Sequence, residues 1–277
     1  MDIQQILDCL SADARKGEVV FSTHAAVAMR VQKLLGEECS TADLVKFISA
    51  EPVLSARIVR MANSMAFNPR SQAVTDLKTA VTRLGFSSLR AITSAVIVRQ
   101  MEEMSKQGGR ADIATSLWDH TTHVAALARV LAKRVTRQNP DEAFFAGVVH
   151  EVGAFYMLSR ASEFPDLLSD GIELWHGEGQ SAVGRAVLST LGVPANVIEA
   201  MEVVWAGYLA MPPISLGDTL LLADELSPVE SPLDALVGMS RVGMDVELDI
   251  LIDSETLSLI LQESAEEVAS LSAALHG

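Results

Sequence analysis

Three separated stretches carry side chains suited to holding a divalent cation or moving a proton. In LWDHTTHVAALARVL the apolar stripe Leu117, Val124, Leu127 and Leu131 passes through His120, so a helix here turns that imidazole toward the core, with His123 to one side. In the next helix Ala143, Gly147 and Ala154 form a small-residue stripe that includes His150, and Glu151 lies about 100° further round. Asp224 interrupts the apolar run DTLLLADEL, and a carboxylate buried there needs a cation, a metal or several donors. Imidazoles with carboxylates suit a transition ion such as Fe, Mn or Zn, which can activate water against a phosphate ester. The same residues also fit a plainer role, as hydrogen-bonded core histidines beside a locally paired aspartate.

The elements that must position these groups are helical. Apolar residues recur at three and four along most of the 277-residue chain, and clean period-2 runs of β-branched residues are nearly absent, which predicts an all-α fold. The pattern places helices near 2–15, 25–35, 41–50, 53–62, 74–84, 87–103, 111–136, 140–159, 164–171, 179–191, 194–205, 214–226, 231–240 and 254–275. Asn139-Pro140-Asp141-Glu142 supplies a cap, a proline and two acids for a helix start, while Gly85 and Gly192 read as helix stops. Gly108-Gly109 is the clearest punctuation and divides the chain into an N-terminal lobe (1–107), a second lobe (108–229) and a C-terminal extension (230–277). In that extension Leu257, Leu261, Ser264, Val268, Leu271 and Leu275 form an a/d stripe, either docked on the chain's own core or forming a homodimer contact.

Composition narrows the function classes. With 49% hydrophobic residues and a mean hydropathy of +0.28, the chain is globular and long enough to bury a core without disulfide or metal support. Its 36 acids against 21 bases, a net charge of −15, argue against direct nucleic-acid binding, and the RVLAKRVTR segment reads as a solvated helix face. Cys9 and Cys39 form no metal or disulfide motif. No stretch reaches the ~18 uninterrupted apolar residues of a membrane span, and the start of the chain lacks a signal-peptide pattern; the expected location is the cytoplasm.

Several blocks together resemble one family. Glu51-Pro52-Val53-Leu54-Ser55-Ala56-Arg57 through Ala62-Asn63-Ser64, Ala80-Val81-Thr82-Arg83-Leu84-Gly85, Leu117-Trp118-Asp119-His120 and Gly147-Val148-Val149-His150-Glu151-Val152-Gly153 are similar to motifs of the HDOD family. That family is a bacterial regulatory relative of the HD-type metal-dependent phosphohydrolases, and the resemblance runs from about Phe21 to Pro228. It implies a two-lobed helical architecture with an HD-like second lobe, and signal transduction through protein contacts.

The departures bear on activity. Glu151 stands where the parent hydrolases have aspartate, Gln180 where the pattern often has histidine, and Val204-Trp205 where it often has a histidine pair. His120, His150, Glu151 and Asp224 remain as vestigial ligand candidates, too few for two ions. The expectation is therefore a non-catalytic module with no cofactor, and the alternative is a one-metal phosphohydrolase or phosphodiesterase. Sensing of a small ligand such as a nucleotide stays open. Candidate contact residues are Trp205, Tyr208 and Met211 beside Pro213, and Leu261, Val268 and Leu271 on the last helix. The first-lobe block has a scaffold role open to it, with Pro52 starting a helix, Asn63-Ser64 ending it, and Arg57 and Arg60 pairing with surplus acids.

Overall fold

Local chemistry starts the helices where the sequence places caps. Asp2 and Gln5 close a capping box on α1 (Ile3–Lys16), and the chain leaves that helix through Gly17 at φ 70°. In the computed structural model residues 2–17, 23–37, 39–169, 171–210, 212–237 and 254–276 are described; they form helices joined by turns and loops, with no strand among them. After α1 come α2 (Thr23–Gly36), α3 (Thr41–Ser49), α4 (Pro52–Ala62) and the 31-residue α5 (Leu77–Gln107). The second half contains α6 (Ala111–Leu131), α7 (Pro140–Val149), α8 (Val152–Ser159), α9 (Ile172–Leu174), α10 (Gln180–Thr190), α11 (Ala195–Ala206), α12 (Leu216–Glu225) and α13 (Pro232–Val237). The long C-terminal helix is α14 (Ser254–His276).

The first-lobe block is scaffold at its end. Glu51 caps α4 ahead of Pro52, and the Asn63 amide reaches across to residue 74, donating to the Val74 carbonyl at 2.8 Å while accepting from the Val74 N–H at 2.8 Å. Ser64 Oγ donates to the Met61 carbonyl at 2.7 Å. Leu54, Ile58 and Met61 thus present one buried stripe to α5.

α5 is the central helix. It packs on α2, α3 and α4 on one side and on α6, α7 and α8 on the other. By length and composition it could span a membrane, but 67% of its most apolar window is buried inside the protein. α1 belongs spatially with the second half: its buried face of Leu7, Leu10 and Ala14 lies on α10, and Thr190 Oγ1 donates to the Ala14 carbonyl at 2.9 Å. α14 lies across α6 and α4, fastened by Arg129 to Glu267 at 3.2 Å and by the Met65 N–H to Ser270 Oγ at 3.0 Å.

Two expectations change, one holds and one lies partly outside the described residues. Gly85 breaks the helix as expected: at φ 71° and ψ 175° it is non-helical and kinks α5 into two segments, 77–84 and 86–107, with Leu84 and Leu89 buried on either side of the kink. The single helix expected over 140–159 is two, broken at His150-Glu151. The helix expected over 164–171 shrinks to the 3₁₀ turn Pro165–Leu168, begun by its proline. Of the helix expected over 231–240 only Pro232–Val237 lies within the described residues.

Asp218 locks the corner between α11 and α12. Its buried carboxylate accepts from Ser215 Oγ at 2.6 Å and from the N–H groups of Ala210, Ile214 and Ser215 at 3.0, 3.1 and 2.9 Å. Burial alone would raise this acid, but those donors outweigh it and hold the carboxyl below its ordinary value. Its contribution to stability is then present above the unfolded-state value and is lost as pH falls through the native one. Asp218→Ala should cost about 2–4 kcal/mol at neutral pH, read by urea unfolding, and the gap to wild type should narrow as the acid is titrated.

Candidate functional site

Helix approach decides what can meet in the second lobe. A Cβ on Gly147 would lie 2.4 Å from the Cα of Ala125, so α7 rests directly on the α6 backbone. Gly153 does the same for α8 and α10, where an added Cβ would meet the Cα of Gly184 at 2.8 Å. At that separation His120, riding the buried stripe of α6, reaches His150 at the end of α7. The ring centroids are 5.3 Å apart and the Nε2 atoms 3.3 Å apart.

Both rings are fixed from behind. His150 Nδ1 lies 2.7 Å from the Gly147 carbonyl, and His120 Nδ1 lies 2.8 Å from the Val229 carbonyl. A carbonyl oxygen only accepts, so each Nδ1 carries hydrogen and donates, and in the neutral rings each Nε2 presents a lone pair. The two lone pairs therefore face one another, with Asp224 Oδ1 a third acceptor 3.2 Å from His120 Nε2. Such an arrangement calls for a proton held between these groups or for a metal ion. Metal-bound histidines ordinarily donate their second ring N–H to a carbonyl or carboxylate, and both of these rings are held that way.

Glu151 completes the cluster. It occupies the N-terminal position of α8 without capping that helix, and its Oε2 is buried with no hydrogen-bond partner. Burial, then the charges of Asp234 and Asp224, push the carboxyl well above the usual carboxylate range. Donor atoms of His120, His150 and Glu151 lie within 4.8 Å of one another, and among the described residues they are the one group of three or more that can share an ion. The extra methylene of Glu151 does not carry its carboxylate out of reach. The donor set fits one ion, with Asp224 at its edge.

Asp224 is only half-buried, its side chain 31% exposed, because α12 ends one residue later. The sequence pattern overlooked three contributors. The Val229 carbonyl carries no side-chain signature, although the Ser227-Pro228 turn that presents it is readable, and Ser227 Oγ donates to that same oxygen at 2.9 Å. Asp234 sits in the first turn of α13, where an acid after Pro232 is an ordinary helix start. His176 borders Asp234 at 3.9 Å and the Leu233 carbonyl at 3.3 Å.

The contact candidates divide. Tyr208 is 75% exposed, whereas Trp205 is half-buried, with its indole against Gly184 and the Arg185 guanidinium 5.5 Å above it. Met211 lies outside the described residues. On α14 Leu271 is fully buried, and Leu261 and Val268 pack partly buried on the core. While α14 is docked this stripe faces inward, which removes Leu271 as a partner contact.

The Gly147 contact is the geometric origin of the pair. Gly147→Ala should force α6 and α7 apart and cost about 1–3 kcal/mol or more, with loss of the His120–His150 approach. Thermal unfolding checks the first effect and histidine chemical shifts the second.

Residues 22–205 match the HDOD domain. Among solved structures the chain is similar to a candidate metal-dependent phosphohydrolase of Shewanella amazonensis, at 24% identity, TM-score 0.68 and 99% coverage of both chains. It is also similar to an HDOD domain protein of unknown function from Geobacter sulfurreducens, at 19% identity and TM-score 0.55, covering 99% of this chain and 98% of that one. A candidate signal transduction protein of Marinobacter aquaeolei matches at 18% identity and TM-score 0.54, over 100% of this chain and 67% of its own. No curated protein matches. The domain match takes in His120, His150 and Glu151 and stops short of Asp224 and Val229, and over that stretch the chain belongs to the HDOD family.

Proposed function

We propose that this protein is a regulatory module of bacterial signal transduction that acts by contacting other proteins and turns over no substrate. One observation carries the reading: the polar donors converge on a single point. Two-ion ester hydrolysis needs a second ligand set and a bridging group to hold both the attacking and the leaving oxygen. On the flank where the family resemblance would place more histidines stand Gln180 and Trp205, and the Trp205 indole fills space against Gly184. The signal-transduction description of the Marinobacter relative agrees with this reading.

Activity in such a module lies in its surfaces. The α11–α12 corner offers the exposed Tyr208 and the 70% exposed Ile214 on a loop stiffened by Asp218, so an anchor there loses little entropy on binding. We place the module in the cytoplasm, with a protein partner and with neither nucleic acid nor membrane as a direct ligand.

A second reading rests on the facing lone pairs. His120, His150 and Glu151, with Asp224 beside them, are the residues that would hold one Fe, Mn or Zn ion. Bound there, an ion would lower the pKa of a coordinated water and polarise a phosphate ester. The chain's own share is to hold the rings through Gly147 and Val229 and to present beside them the Glu151 carboxyl, which burial raises above the ordinary carboxylate range.

Metal content and turnover of phosphate monoesters, nucleotides and cyclic dinucleotides, measured on protein purified without chelator, separate the two. The regulatory reading expects at most one ion per chain and no hydrolysis. Turnover abolished in His150→Ala would overturn it and establish the second. In chelated protein Glu151→Gln should be stabilising at neutral pH by about 1 kcal/mol, because the buried acid becomes a neutral isostere. Added Mn²⁺ should raise the Tm of wild type more than that of the variant.

A further inference from the structure

The acidic surplus makes one cationic spot conspicuous. Several arginines take acids as partners: Arg129 binds Asp141 and Glu267, Arg134 binds Glu263, Arg160 binds Asp13 and Glu163, and Arg185 binds Glu202. Arg57 and Arg60 lack the pairing with surplus acids expected of them. They stand three apart on α4, side by side on one face, and neither has a carboxylate partner among the described residues. Arg57 is half-buried, with its Nε shut away from solvent and without an acceptor. An unmet guanidinium N–H in that setting is costly and asks for an anion.

The charges acting on Arg57 are also positive. Burial first, then Arg99 and Arg60, push its guanidinium below the ordinary arginine value. Arg99 comes from α5, stacks over the Trp118 ring at 5.5 Å and pairs with Glu102. That carboxylate is already shared with Lys106 at 2.8 Å, so it has no charge to spare for Arg57. The His276 ring, at the end of α14, meets the same Trp118 edge-on at 6.1 Å, which places the spot where α4, α5 and α6 meet the tip of α14.

We propose that Arg57 and Arg60, backed by Arg99, form a recognition site for a phosphoryl dianion, separate from the histidine cluster and independent of what that cluster holds. Two guanidinium charges without a carboxylate partner among the described residues match a dianion better than a carboxylate, and the planar N–H fork of arginine suits phosphate oxygens. The site gives the module an input: an anion seated there would bridge α4 and α5 beside the docked end of α14.

Calorimetric titration of the full chain with inorganic phosphate, with O-phosphoserine and with acetate tests it. The expected result is saturable 1:1 binding of at least one phosphate probe, with a dissociation constant on the order of 1 mM or tighter, and weaker binding of acetate. Preference for phosphoserine over inorganic phosphate would point to an ester-borne group, and equal binding to the free ion. Arg57→Gln and the exposed Arg60→Gln, each checked for native circular dichroism, should weaken the tighter probe by about tenfold. Absence of saturable phosphate binding, acetate binding as tightly as phosphate, or affinity unchanged in both folded variants would overturn the proposal. Arg60→Gln keeps the test decisive if Arg57→Gln fails to fold.

Discussion

Two imidazoles held Nε2 to Nε2, with both Nδ1 atoms committed to backbone carbonyls, set the terms for the second lobe. Each ring has given its one neutral-state hydrogen to a carbonyl, so what remains between them is electron density facing electron density. Asp224 and the buried Oε2 of Glu151 add to it. A compact pocket of acceptors persists in a folded protein only if a shared proton or a cation resolves it. An imidazolium or a single metal ion does so; a pair of ions would need donors that the neighbouring positions do not provide.

The surrounding architecture follows from that requirement. Gly147 allows α7 to lie on the α6 backbone, and the break at His150-Glu151 turns the chain so that two consecutive side chains reach one point from two helices. The Ser227 to Val229 turn brings in the carbonyl that orients His120. α5 ties this lobe to the first, and α14 clamps α6 to the end of α4. The same clamp brings His276, Trp118 and Arg99 together, so the first-lobe arginines and the second-lobe histidines share a helix framework while remaining separate in charge.

Much of this was legible in residue order. The helical class, most helix starts, the inward face of His120 and the close-packing stripe through Gly147 all follow from periodicity and side-chain size, which act locally. What was missed depends on long-range geometry. The break after Val149 has no proline or αL glycine to announce it: His150 still has helical backbone and Glu151, at φ −101° and ψ 15°, is where the chain turns, next to the side-chain cluster they both join. Gly85 was readable, since a residue free to take positive φ interrupts the helix locally, and the kink in α5 falls on it. The Val229 carbonyl and the like-charged surroundings of Arg57 are invisible to a pattern of side-chain types, since one is backbone and the other is set by which helices pack together.

The most direct test of the paired-imidazole account is the protonation of the two rings, read by long-range proton–nitrogen correlation in ¹⁵N-histidine protein stripped of metal. The account predicts hydrogen on Nδ1 of both His120 and His150 at neutral pH, with any additional proton on His120 Nε2. One equivalent of Zn²⁺ should then shift both Nε2 resonances together and saturate. A neutral ring protonated only at Nε2 in either histidine, or a second equivalent of Zn²⁺ binding at the same rings, would contradict it.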